Sequence, residues 1–179
     1  MKLLNIGSVL LILAQAAPVL AADAEPPKPS PEIQKLGYYL GTWRGEGESK
    51  GGPFGPAGKL SSTTTCEWFT GAFHLVCKGE ESGPTGTRKF LNIRSYDEAA
   101  KSYTEYGISS LGDSEYATGG SIVGNKKTFI QTMEVEGKAL KLRYTEVRVS
   151  PTLFTYLAEA SMDAGPWTVI AEGKVTKLK

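Results

Sequence analysis

Side chains that could do chemistry are sparse in this sequence. Its 179 residues include one histidine, His74, and two cysteines, Cys66 and Cys77. One histidine is too few for most acid–base or zinc chemistry, and the chain has no Gly-x-Ser-x-Gly nucleophile turn, no Cys-x-x-Cys pair and no phosphate-binding loop before a helix. The residue types favour binding over catalysis and leave open acid–base chemistry by Glu, Tyr and Arg side chains. No catalytic residue and no metal site is expected.

A hairpin late in the chain carries the best candidate for a ligand pocket. A turn at Glu136-Gly137 predicts three inward-facing pairs across it: Met133 with Leu140, Gln131 with Leu142, and Phe129 with Tyr144. Gln131 and the Tyr144 hydroxyl are polar groups among apolar neighbours, which is typical of a pocket with a few orienting hydrogen bonds. The same pattern fits a buried polar pair in a barrel filled by its own side chains. The candidate pocket residues are Trp68, Phe129, Gln131, Met133, Leu142 and Tyr144.

An earlier hairpin offers a charged alternative, in which Arg94 falls opposite Glu105. Facing inward, Arg94 would meet an anionic ligand while Glu105 holds its guanidinium in place. The alternate face of this hairpin is more apolar, with Leu91, Ile93, Tyr106 and Ile108. We therefore expect the apolar face inside the protein and Arg94–Glu105 as an exposed cross-strand ion pair.

The two cysteines flank a short predicted hairpin. With a two-residue turn at Gly71-Ala72, Trp68 lies opposite Leu75 and Cys66 lies opposite Cys77. An oxidising compartment then favours a cross-strand disulfide, with a two-cysteine metal site or buried free thiols as the alternatives. The face with Cys66, Trp68, Phe73, Leu75 and Cys77 is the expected interior, which leaves His74 outside.

The N-terminus has the features of a secretory leader. Lys2 precedes an apolar run from Leu3 to Leu13, and small residues follow up to Ala21-Ala22. The run is short for a membrane span, and no later segment is apolar enough to cross a bilayer. We expect residues 1–22 to be a signal peptide and the protein to be periplasmic or secreted.

The rest of the chain has balanced charge and the size of one domain. Once Lys2 is removed with the leader, basic and acidic residues are equal in number, so nothing calls for a nucleic acid partner. Prolines and charged residues predict an extended tether over 23–31. Residues 32–179 are predicted to fold as one domain.

The elements that position the candidate residues are predicted to be almost all strands. Ser30 is placed to cap a short helix that starts at Pro31 and ends before Gly41. A flexible loop rich in glycine and proline is expected over 51–58, and about ten strands joined by short turns follow the helix. With no helix between strands, the predicted fold class is all-β, an antiparallel up-and-down barrel with one N-terminal helix. Such barrels enclose one small ligand or fill themselves with side chains.

The stretch Gly41-Thr42-Trp43-Arg44-Gly45-Glu46-Gly47, after the helix and at the head of the strands, resembles the calycin barrels, which include lipocalins and fatty-acid-binding proteins. With the Trp68-to-Cys77 hairpin and the Ser95-Tyr96-Asp97 turn, residues 33–179 are similar to a bacterial lipocalin-like family known as a domain of unknown function. The motif residues Gly41, Trp43, Gly45 and Gly47 are then structural. The resemblance implies that Trp43 packs in the core at one end of the barrel, with Arg44 outside.

The same motif resembles the opening of the nitrobindins, which are haem-binding barrels whose iron is held by a histidine late in the chain. His74, the single histidine here, lies in an early hairpin. The resemblance therefore stops at the haem ligand, and no cofactor is expected.

The leading functional hypothesis is an exported barrel that binds a small apolar or amphipathic molecule. Its walls would be Phe129, Met133, Leu142 and Trp68, with Gln131 and Tyr144 as polar anchors. The alternative is a filled barrel that acts through its surface as a periplasmic interaction or envelope-maintenance module, for which Phe69, Phe154 and Tyr156 are the exposed aromatic candidates. A barrel enzyme with acid–base chemistry is the third hypothesis. The sequence does not identify a protein partner.

Overall fold

The computed structural model describes residues 27–52, 55–135 and 137–178. A short α-helix continues as a 3-10 helix, and strands follow to the end of the described chain. The elements are α1 Pro31–Gln34, the 3-10 helix Lys35–Tyr39, β1 Gly41–Gly52, β2 Gly55–Trp68, β3 Leu75–Gly83, β4 Gly86–Asp97, β5 Ser102–Ser109, β6 Ser114–Val123, β7 Lys126–Val135, β8 Lys138–Ser150, β9 Leu153–Met162 and β10 Thr168–Lys177.

The strands close into one antiparallel barrel, in which each strand pairs with its neighbours in sequence and β1 pairs with β10. The closing register runs from Trp43 with Lys177 to Ser49 with Ala171. Closure satisfies the backbone groups of the first and last strands, which would otherwise be free edges. The predicted all-β barrel with an N-terminal helix is confirmed.

The pairing between β6 and β7 is short. The register of these two strands has three pairs, from Ser121 with Thr128 to Val123 with Lys126. Beyond them, residues 114–117 pair with β5 alone and residues 129–135 with β8 alone. A bulge lies in β6 at this point, where Gly119 has a φ of +70°, and a bulge bends its strand away from the partner. We call this stretch without β6–β7 pairing, between residues 114–119 and 130–135, the lateral gap.

The helical segment Pro31–Tyr39 lies across one end of the barrel, and we call it the plug. The Ser30 hydroxyl accepts a hydrogen bond from the Ile33 amide at 3.4 Å, which caps α1 as predicted. Tyr39 is buried among Tyr38, Trp43 and Phe154, whose rings meet edge to face or tilted. The Trp43 indole donates to the Tyr39 carbonyl oxygen at 2.8 Å. The predicted core position of Trp43 is therefore confirmed, and Arg44 beside it is exposed.

The glycines of the Gly-x-Trp motif make room for larger side chains inside the barrel. A Cβ atom at Gly45 would collide with the Ser62 hydroxyl. At Gly47 it would collide with the Tyr156 hydroxyl and the Glu172 carbonyl oxygen. The Tyr156 ring therefore lies over a patch of bare backbone in β1 and β10, which only glycine provides.

The cysteine hairpin has the predicted register. Trp68 pairs with Leu75 and Cys66 pairs with Cys77, and the two sulfur atoms are 2.04 Å apart, a disulfide distance. Cys66, Leu75 and Cys77 are buried, while His74 is exposed in the connection. The interior face of this hairpin was therefore predicted correctly.

The β4–β5 hairpin faces the opposite way from the prediction. Arg94 and Glu105 point into the barrel, where they reach Tyr39 and Lys127. The outward residues are Leu91, Ile93, Tyr106 and Ile108. The prediction of an exposed ion pair was wrong because the partners that compensate these charges come from the plug and β7, which the alternation within two strands does not reveal.

Two further expectations were wrong. Of the expected loop 51–58, residues 51–52 and 55–58 belong to strands, since β1 continues to Gly52 and β2 starts at Gly55. Phe154 and Tyr156 are not surface aromatics: Phe154 is buried beside the plug, and Tyr156 stacks on Tyr144 inside the barrel. Both inward positions follow from the β8–β9 register, which pairs Tyr156 with the inward Glu146 and Phe154 with Arg148.

The expected signal peptide, 1–22, lies outside the described residues, as do residues 23–26 of the predicted tether. Within the described part of the chain, no helix has the length and apolar composition to cross a bilayer.

We predict that Gly47→Ala destabilises the protein by about 1–3 kcal/mol, because the added methyl group meets Tyr156 and the β10 backbone. Gly37→Ala is the control, since its Cβ would make an ordinary 3.6 Å contact with Trp68. Denaturant unfolding of both variants measures the difference. Equal unfolding free energies for the two variants would contradict the role assigned to Gly47.

Candidate functional site

Four charged side chains form a network in the interior, and we call it the charge cluster: Arg94, Glu105, Lys127 and Glu146. The Lys127 ammonium lies 3.2 Å from Glu146 Oε1 and 3.5 Å from Glu105 Oε2. Arg94 Nη2 donates to Glu105 Oε1 at 3.2 Å. Lys127 and Glu146 are each only 2% exposed, so their charges are compensated by each other and not by water.

The strand register positions the cluster. Arg94 pairs with Glu105 across β4 and β5, and Lys127 pairs with Glu146 across β7 and β8. Lys127 then reaches across the barrel to Glu105 and joins the two hairpins. Asn92, one inward position from Arg94, donates to Glu105 Oε1 at 3.0 Å.

The plug is attached to the cluster through Tyr39. Its hydroxyl donates a hydrogen bond to Glu146 Oε2. The guanidinium of Arg94 and the ammonium of Lys127 each lie 5.1 Å from the centre of its ring, a cation–π distance. Burial, and then the charge of Glu146, raise the pKa of Tyr39 far above its usual range, so this hydroxyl stays a proton donor.

The electrostatic balance is clearest at Glu105. Burial alone would raise the pKa of this carboxyl, but the charges of Arg94 and Lys127 more than offset that effect and hold the pKa at about 2. Arg94 Nε lies 3.1 Å from Glu105 Oε2, yet its N–H is not directed at that oxygen and makes no hydrogen bond within the described residues. The contact is therefore an ion pair with one unused donor.

Beyond the cluster, away from the plug, the interior is lined by the hairpin β7–β8. The predicted pairs are confirmed: Phe129 with Tyr144, Gln131 with Leu142, and Met133 with Leu140. Five of the six predicted pocket residues, Phe129, Gln131, Met133, Leu142 and Tyr144, thus share one inward face. Trp68 does not join them, because it packs near Gly37 in the plug.

Tyr144 is an inward residue that is still partly exposed to solvent. Burial raises the pKa of its hydroxyl well above the usual value, so protein surrounds the ring on the barrel side. Yet 37% of the residue is exposed, and Met133 on the same face is 41% exposed. The Tyr144 ring is therefore enclosed by protein on one side and reached by solvent on the other. The Tyr144 hydroxyl has no hydrogen-bond partner among the described residues.

The surface also has two recesses. One of about 80 Å³ lies at the open end of the barrel between β4, β5 and the β5–β6 turn, over Phe90 and Asn92. A larger depression of about 520 Å³ lies over Gly47 and Gly173, where the outward Glu48 and Glu172 are bridged by Lys50. It lies on the far side of the barrel wall from the charge cluster, and we do not assign it to the site.

No metal site is evident in the described part of the chain, where His, Cys, Asp and Glu side chains do not gather in threes. In the cluster, both carboxylates are committed to cations and to Tyr39. The arrangement can orient a polar group of a ligand.

Sequence reasoning missed Tyr39, Lys127 and Glu146. A signal was present for two of them: Lys127 is in phase with Phe129, and Glu146 is in phase with Tyr144, so the period of two places both on the inward face. Charged residues at inward positions of two neighbouring strands predict a buried pair. Tyr39 carried no such signal, because its partner is distant in sequence.

Comparison with known proteins gives a family but no activity. Residues 28–177 match the family described as "Protein of unknown function (DUF1579)". The chain belongs to this family. No protein with a curated description matches. Among solved structures, the crystal structure of Rv2717c from M. tuberculosis is similar, with a TM-score of 0.58 and 14% sequence identity, over 85% of this chain and 100% of that chain. At this identity the similarity concerns the fold.

We predict that Glu105 makes stability depend on pH in the acid range. Its pKa is about 2 when folded against an ordinary value of 4.5, so the stabilisation is full above pH 4.5 and is lost as pH falls towards 2. The loss amounts to about 3 kcal/mol.

The free energy of unfolding, measured by denaturant at several pH values from 6 to 2, should therefore fall less with decreasing pH for Glu105→Gln than for the wild type. Glu67→Gln, at an exposed position, is the control and should show the wild-type decrease. An equal decrease of unfolding free energy with pH in Glu105→Gln and the wild type would contradict the lowered pKa of Glu105.

Proposed function

We propose that the protein binds a small, largely apolar molecule in the open half of the barrel, between the charge cluster and the end opposite the plug. The observation that supports this most is the inward Tyr144, whose ring is partly exposed to solvent and whose hydroxyl has no hydrogen-bond partner among the described residues. A barrel filled by its own side chains would cover such a ring.

The walls of this site are Phe129, Met133 and Leu142, and the polar anchors are Gln131 and Tyr144. The charge cluster forms the floor. Because its charges are paired with each other, the floor is polar but carries little unbalanced charge, so the ligand's polar group is expected at the anchors. Stacking of Tyr156 on Tyr144, with ring centroids 6.0 Å apart, supports the anchor ring from the side.

The lateral gap is the proposed route for the ligand. It opens directly beside the β7 positions that form the wall, and three residue pairs hold β6 and β7 together. A ligand could therefore enter by a small separation of two strands without disturbing the plug or the charge cluster.

We further propose that the protein works outside the cytoplasm and belongs among the calycin-like barrels. The leader-like N-terminus and the Cys66–Cys77 pair at disulfide distance support export, because disulfides persist in oxidising compartments. The ten-stranded barrel with a helical plug supports the calycin placement.

We do not propose an enzymatic role. The paired state of both cluster carboxylates and the absence of catalytic motifs from the sequence support a binding function. For the alternative, a module that acts through its surface, Phe69 remains an exposed aromatic candidate, whereas Phe154 and Tyr156 lie inside the barrel.

We predict that Leu142→Trp abolishes ligand uptake while the barrel stays folded, because the indole fills the proposed site. The protein is expressed with its own leader in its own cell, purified, and examined by mass spectrometry under non-denaturing conditions with solvent extraction of anything released. Ile130→Trp is the matched control, since Ile130 is on the outward face of the same hairpin and half exposed.

The wild type and Ile130→Trp should carry the same small molecule in near-stoichiometric amount, and Leu142→Trp should be free of it. Equal ligand content in all three proteins would show that Leu142 does not line the site. A wild-type protein that carries nothing would contradict the binding function.

A further inference from the structure

An apolar patch covers the outer face of four neighbouring strands, β3 to β6. Val76 pairs with Ile93, Ile93 with Tyr106, and Tyr106 with Tyr116, so these four side chains form one row across the strands. Leu91 and Ile108 form a second row beside the first. We call these six residues the outer apolar patch: Val76, Leu91, Ile93, Tyr106, Ile108 and Tyr116.

The patch has the size of the largest apolar patches on monomeric proteins, which are often functional. Tyr106 and Ile108 are each 44% exposed and Tyr116 is 63% exposed, while the other three are partly covered by their neighbours. With side chains of about 150–250 Å² each, the exposed fractions correspond to roughly 400 Å² of contiguous apolar surface. Monomeric proteins seldom leave such a surface in water unless it binds something.

The patch faces outward because of the charge cluster. Turning it inward would place Arg94 and Glu105 outside and leave Lys127 without one of its two carboxylate partners. The residues that the structure describes therefore leave this apolar face uncovered.

The charged residues around the patch come in opposite-sign pairs. Lys78, next to Leu91 in the register, pairs with Glu67 at 3.5 Å. Glu80 lies opposite Lys89 on the same outer face. The charges around the patch are balanced, so they do not complement a partner surface of one dominant charge. They also provide no excess of basic residues that would bind an anionic membrane.

We propose that the outer apolar patch is a homodimer interface, with a second copy of this chain as its occupant. A two-fold axis through the patch places each copy's Lys78–Glu67 and Lys89–Glu80 pairs against those of the other, so lysine can meet glutamate at the rim on both sides. A stable interface buries about 800 Å² per partner, with an apolar core and a polar rim. The patch supplies about half of that area as the core, and the paired charges supply the rim.

Tyr106 and Tyr116 are the expected centres of the interface. They are adjacent across β5 and β6 and combine a large ring with a polar tip, the type of residue that dominates binding energy in interfaces. A copy packed face to face at about 10 Å would cover both rings.

The test is sedimentation velocity of the protein expressed with its own leader, over about 1 to 200 µM, the range in which an interface of this size dissociates. We expect a dimer of the wild type that dissociates on dilution. Tyr116→Glu and Ile108→Glu should each weaken dimerisation at least tenfold. Val123→Glu is the control, because Val123 is an exposed outward residue of the same strand β6 outside the patch.

A wild-type protein that stays monomeric at the highest concentration overturns the proposal, whether or not it binds neutral phosphatidylcholine vesicles. A dimer that forms equally well in both patch variants also overturns it. If a patch variant fails to fold, hydrogen exchange of the wild type at low and high concentration decides. Protection that increases over residues 104–118 at high concentration supports the interface, and unchanged exchange there refutes it.

Discussion

The carboxylate of Glu146 lies between the Lys127 ammonium and the Tyr39 hydroxyl, in a place that water barely reaches. A buried charge of this kind is tolerated only while its partners stay in place, because loss of one leaves the other uncompensated. Lys127 is also bound to Glu105, which in turn holds Arg94. The constraint therefore extends from the plug through β8 and β7 to β5 and β4, and it fixes the inward face of each.

Orientation of the β4–β5 hairpin is the clearest consequence. By apolar content alone, Ile93 and Ile108 belong inside, yet the charged face is inside and the apolar face is outside. The pairing of Arg94 with Glu105, and of Glu105 with Lys127, outweighs the burial of a few aliphatic side chains. The ion pairs in the interior therefore determine that the outer face of β4 and β5 is apolar.

The cluster also divides the interior. On its plug side, Tyr39, Trp43 and Phe154 are buried and their rings pack against each other and against Tyr38. On the other side, Tyr144 and Met133 keep exposed surface, and β6 and β7 are joined by three residue pairs. One end of the barrel is packed with side chains. The other end, where we propose that the ligand binds, keeps exposed inward residues, as a binding barrel requires.

Much of this architecture could be predicted from local patterns. The turn at Glu136-Gly137 and the cysteine hairpin gave the correct register, because a turn fixes which residues face each other. The helix cap at Ser30 and the core position of Trp43 likewise depend on neighbours close in sequence or on a motif. The interior of β4–β5 could not be predicted, because its stabilising partners, Tyr39 and Lys127, are distant in sequence. The lateral gap depends on a bulge that the sequence marks only by Gly119-Gly120.

The measurement that tests this account most directly is a double-mutant cycle between Tyr39→Phe and Glu146→Gln, followed by denaturant unfolding. If the plug is held to the barrel through this contact, the two substitutions are coupled by about 1–3 kcal/mol, since each removes the same interaction. Effects that add within about 0.3 kcal/mol would show that the plug is held by apolar packing alone. The charge cluster would then not determine how the barrel is closed.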